Sequence, residues 1–127
     1  MDLPQAIETL DPWCKRALYW LLWAGHWNLY TIEEVFELPE SWPKEDPKQV
    51  IQQHIVWAVL DCVRPSIRLA AFRFLRGQPI FDEQVRGLHD AGIVQFDRAK
   101  SIYTMPDLFK EKVELFRYAY EAKLTDP

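Results

Sequence analysis

The 127-residue chain has a single asparagine, Asn28, only four glycines and two methionines, and no low-complexity tract. So little asparagine and glycine, with no low-complexity tract, argues against a disordered protein. Two cysteines, Cys14 and Cys62, are too few for a disulfide scaffold; both fall within apolar helical patterns and are expected to be buried, reduced thiols. The longest apolar run, residues 17–25, is too short to span a bilayer. Residues 1–4 begin no basic stretch followed by an apolar one, so a cytoplasmic location without a membrane partner is expected. A Gly-rich phosphate loop, a Gly-x-Ser-x-Gly elbow and a Cys-x-x-Cys pair are missing. His26, His54 and His89 are too scattered for metal-ligand spacing. His26 is expected at a helix end and His54 as a half-buried packing residue. Cys14 and His26 sit at opposite ends of one predicted helix, ~18 Å apart, too far to act as nucleophile and base. A non-enzymatic protein without cofactor or metal is therefore expected.

What the chain does have is large, apolar and unevenly charged. Hydrophobic residues make up 49% of it and six are tryptophans, enough for one domain of this length to bury a core. The net charge is −4, but residues 1–63 carry four basic and ten acidic side chains. Residues 64–100 reverse the balance, with Arg64, Arg68, Arg73, Arg76, Arg86, Arg98 and Lys100 against four acids. That asymmetry implies a directional surface rather than a general polyanion binder.

Helix signals recur along the chain. Asp11 and Pro12 open a first helix that Gly25 stops, and its apolar positions cover well over half the circumference. Thr31 with Glu34 predicts a capped second helix ending before Pro39. Residues 39–47, rich in proline and charge, form a surface connector that carries Trp42. Asp46 and Pro47 start a third helix that stops before Pro65; Ser66 caps a fourth, ended by Gly77; a fifth spans 82–91 and stops at Gly92. The period then changes to alternation: Ile93, Val94 and Phe96 in one strand, a turn at 97–100, and Ile102 and Tyr103 in the return strand. A last helix runs from Met105 and Pro106 to about Leu124, with Phe109, Val113, Phe116 and Tyr120 on one stripe that could pair with a second subunit as a homodimer.

Two stretches overlay at an offset of 52: residues 16–25 on 68–77, each followed by a short link and an acidic helix start. Helix, glycine stop, link and second helix is the order of many helix-turn-helix units.

The segment Val85 to Val94, with Leu88 and Gly92, then a charged turn and Ser101 to Met105, resembles a winged-helix domain over residues 67–105. The resemblance implies a mainly α fold, a helical bundle with a small β-hairpin wing, and a first half that is a second, wingless copy. It divides a single 1–127 domain into an N-terminal helical hairpin (1–38), the connector (39–47), a winged-helix-like unit (48–105) and a C-terminal helix (106–127). It also implies that residues 82–91 are the helix that would enter a DNA major groove, presenting Glu83, Gln84, Arg86, Gly87, His89 and Asp90.

Two functions follow as expectations. The first is a protein-interaction module, an adaptor or regulator, with another protein as partner and Trp13, Trp20, Trp23, Trp27 and Trp42 as interface candidates, since aromatics dominate interface hot spots. The alternative is a dimeric DNA-binding transcriptional regulator, with Gln84, Arg86 and His89 reading bases and Arg73, Arg76, Arg98 and Lys100 holding phosphates. Against the alternative stand Asp82, Glu83 and Asp90, three acids on the presumed reading helix.

Overall fold

Prolines begin the helices and glycines end them. The computed structural model describes residues 2–41, 44 and 46–115. Its order is α1 (Leu3–Glu8), α2 (Pro12–Trp23), α3 (Leu29–Glu37), a 3₁₀ turn (Leu38–Ser41), α4 (Pro47–Cys62), α5 (Pro65–Leu75), α6 (Asp82–Asp90), β1 (Gln95–Asp97), β2 (Ile102–Thr104) and α7 (Asp107–Leu115). The fold class is the expected one: a helical bundle with one small antiparallel hairpin.

A proline occupies the first turn of α1, α2, α4 and α5, where its missing N–H would have no helical partner anyway. The side chains of Asp2 and Asp46 accept the amides of Gln5 and Lys48 at 2.9 and 3.0 Å. Asp11 precedes α2 without capping it; its carboxylate takes the Lys48 ammonium at 3.3 Å instead. Helix α1 precedes the first helix expected from the sequence, and Asp2 and Pro4 carry the same start signal as the later helices. Helix α3 starts before Thr31, because Asn28 Oδ1 accepts the Thr31 amide at 2.9 Å and is the true cap. Helix α5 likewise starts at Pro65, ahead of Ser66.

Three helices stop in one way. Gly25, Gly77 and Gly92 have φ of +80°, +71° and +78°. In each case the amide after the glycine reaches back five residues: His26 to the Leu21 carbonyl, Gln78 to Arg73 and Ile93 to Leu88, at 2.9, 2.8 and 2.9 Å. This is the Schellman closure, which satisfies carbonyls the helix leaves unpaired.

Helix α4 is the rod around which the others pack. Val50, Ile51, Ile55, Val56, Val59 and Leu60 are all buried, because α2 covers one side and α7 another. Each such side chain contributes on the order of 1.5–3 kcal/mol. Gln52 is buried beside them at 1% exposure and keeps its hydrogen bond: Oε1 accepts the Asp11 amide at 3.0 Å, fixing where α2 begins.

Helix α5 packs closely on α6, as a helix-turn-helix requires, whereas α2 and α3 make little contact with each other. The echo between the two halves therefore extends to the glycine stops and not to the packing. In the hairpin Phe96 faces Tyr103 across the strands. The turn closes on Asp97, whose Oδ1 accepts the amides of Ala99 and Lys100 at 3.0 and 3.3 Å. Ile93 and Val94 are fully buried in the bend before β1 and are not part of the strand.

The C-terminal stripe is corrected. Phe109 and Val113 are fully buried in the chain's own core, with Trp13 edge-on to Phe109 at 5.4 Å between centroids, so they cannot form a dimer face. Phe116, Tyr120 and Trp42 lie outside the described residues. No described helix is long and apolar enough to cross a membrane.

Gly92 and Gly25 differ in what surrounds them. A Cβ on Gly92 would lie 2.8 Å from the backbone nitrogen of Ala17, whereas one on Gly25 would meet nothing within 4 Å. Urea unfolding should show Gly25→Ala costing about 1 kcal/mol, the left-handed penalty alone. Gly92→Ala should cost about 3 kcal/mol or more, because α2 must also move.

Candidate nucleic-acid interface and aromatic cavity

The absence of a side chain at Gly92 brings α2 against the end of α6, and Arg16 exploits that approach. Its Nε donates to the His89 carbonyl at 2.7 Å, and Nη2 lies 2.8 Å from His89 Nδ1 and 3.8 Å from Asp90 Oδ1. A guanidinium only donates, so Nδ1 accepts and the imidazole proton sits on Nε2. Burial, then the Arg16 charge, hold the His89 pKa below its ordinary 6.5, with Asp90 opposing. The ring also meets Tyr103 edge-on at 5.8 Å, and Tyr103 lies 5.1 Å from Phe96. These contacts set the hairpin beside α6.

Two of the three presumed base readers are already engaged. Gln84 Oε1 turns back to accept the Phe81 amide at 3.1 Å, and His89 is held by Arg16. Arg86 is exposed. Two acids of this region are engaged as well: Asp90 lies beside Arg16, and Asp97 accepts two turn amides. Asp82 and Glu83 remain exposed in the first turn of α6, where they complement the helix dipole but repel phosphate. Among the described residues, Arg64, Arg86, Arg98 and Lys100 are exposed and none of them pairs with a carboxylate. Arg73 is half-buried, and Arg76 lies over the Phe72 ring at 5.6 Å.

The tryptophans separate. Trp13, Trp20 and Trp27 are partly buried against the core, whereas Trp23 is 90% exposed. Tyr19, Leu29 and Tyr30 are exposed around the same end of α2 and start of α3. Between α2, the α4–α5 corner and α6 opens a mostly apolar cavity of about 750 Å³. Tyr19, Trp20 and Trp23 line one wall, and Val63, Ile67 and Gly87 line the others. His26 lies tilted against Trp20, 5.1 Å between ring centroids, where both border the cavity. Arg16, Arg64, Asp90 and Cys62 also border it.

Sequence reasoning missed Arg16, Tyr19, Arg64, Cys62 and Ile67 as a group. Arg16 had one legible sign: with Lys15 it is the only basic residue before Lys44. Of the thiols, Cys14 is fully buried and its pKa is raised by that burial and by Asp11, while Cys62 is half-buried. Among the described residues no three His, Cys, Asp or Glu side chains gather as for a metal ion.

The chain is a mainly helical protein with a small antiparallel hairpin, an arrangement consistent with a winged-helix-like architecture. No known protein family, curated protein or solved structure matches it.

His89 provides a direct check on this geometry. In Arg16→Gln, NMR titration should show the His89 pKa rising toward 6.5. In the wild type, a depressed histidine pKa means the unfolded chain binds the extra proton first. Its stabilising contribution is thus present above pH 6.5 and lost as pH falls through the folded-state value.

Proposed function

We propose that the chain is a DNA-binding regulator of the winged-helix type, with α6 and the hairpin turned toward the duplex. One observation carries this reading: Arg64, Arg86, Arg98 and Lys100 stand exposed without carboxylate partners on and around the helix-turn-helix and wing, while Asp90 and Asp97 are occupied elsewhere. DNA carries a charge every ~1.7 Å of axis, so unpaired cations are the groups it engages first. With Gln84 and His89 engaged inside the protein, phosphate contacts dominate over base reading, and Arg86 is left as the one side chain of the three free to reach a guanine edge. Phe109 and Val113, being buried, are not available to a dimer contact.

A protein-interaction module, adaptor or regulator, is the second reading, favoured by the exposed corner of Trp23, Leu29 and Tyr30. Exposed aromatics of this size are the residues that anchor partners.

Fluorescence anisotropy with a random duplex separates the two. Salt-sensitive binding in the micromolar range is expected at 25 mM salt. The triple variant Arg86→Ala, Arg98→Ala, Lys100→Ala should weaken it at least tenfold and flatten log K against log salt by about 0.9 per cation. An absence of binding at 25 mM salt would remove the DNA reading and leave the aromatic corner as the working surface.

A further inference from the structure

We propose that the cavity between α2, the α4–α5 corner and α6 binds a small planar anion, an aromatic carboxylate or sulfonate. The proposal does not depend on DNA binding. The cavity's volume, about 750 Å³, falls within the 300–1,000 Å³ typical of small-ligand sites, and three helical elements border it. Its lining has the composition such sites share: mostly apolar and aromatic walls with a few polar groups. Tyr19, Trp20 and Trp23 supply ring faces for a flat ligand to stack upon.

The charge at the rim selects the ligand's sign. Two guanidiniums, Arg16 and Arg64, border the cavity against one carboxylate, Asp90, and that carboxylate lies beside Arg16. Arg64 has no carboxylate of its own among the described residues and is exposed. A ligand acid group would therefore pair with Arg64, in the two-pronged geometry that guanidinium favours. A cationic ligand would meet both arginines. A neutral one would leave Arg64 unused.

The test uses the full chain and the planar sulfonate 1-anilinonaphthalene-8-sulfonate, with its uncharged relative N-phenyl-1-naphthylamine as the comparison. Saturable one-to-one binding of the sulfonate is expected, with energy transfer from tryptophan. Arg64→Ala should weaken the sulfonate about tenfold and leave the uncharged probe unchanged, while Arg64→Lys retains part of the difference. Because Arg64 is exposed, circular dichroism and the unfolding midpoint should not move. Alkylating Cys62, which lines the cavity while Cys14 stays buried, should block the probe. Three outcomes would overturn the proposal: equal sulfonate affinity in Arg64→Ala, uncharged probe bound as tightly as the sulfonate, or a wild-type dimer by sedimentation that Trp23→Ala converts to monomer. The last would mean that a second copy covers the cavity.

Discussion

The approach of α2 to the end of α6 organises this side of the molecule. Gly92 lies so near the backbone of Ala17 that no other residue fits there without displacing α2. The left-handed backbone of Gly92 ends α6 with a Schellman closure, and the proximity delivers Arg16 to the carbonyl and ring of His89, 73 positions away in sequence. Without it α2 would not wall the cavity, Asp90 would lose its arginine neighbour and the His89 ring its guanidinium partner. A single missing methyl group thus governs both the electrostatics of α6 and the shape of the space beside it.

The balance of charge follows from this contact and from the turn. Residues 64–100 have more cations than anions, yet an excess spread evenly would be worth little at physiological salt, where charges more than about 8 Å apart are screened. What matters is which charges are already satisfied. Asp90 and Asp97 are held by Arg16 and by backbone amides, whereas Arg86, Arg98 and Lys100 hold no acid among the described residues. An acidic overall composition is therefore compatible with a local excess of unpaired cations. Asp82 and Glu83 stay exposed at the start of α6.

Local signals were the legible part of the sequence. Asp11–Pro12, Asp46–Pro47, Gly25, Gly77 and Gly92 mark helix ends through backbone chemistry that needs no distant partner, and the structure places α2, α4, α5 and α6 accordingly. Competing local signals were harder: Asn28 and Thr31 are both capping residues three apart, and the asparagine oxygen captures the threonine amide. The apolar stripe through Phe109 and Val113 was visible, but spacing reveals that a face exists and not what it faces; here it faces Trp13 and α4. The candidate cavity was invisible because it joins Tyr19 and Trp20 to Ile67 and Gly87, which only tertiary packing brings together.

The prolines at the start of α1, α2, α4 and α5 act where no contact map records them. Each fixes a backbone angle in the denatured chain that folding would otherwise have to restrict, and such sites are worth about 0.4–1 kcal/mol apiece. Part of this protein's resistance to unfolding thus resides in the poverty of its unfolded ensemble. Four helix origins are half-specified before any tertiary surface has met another.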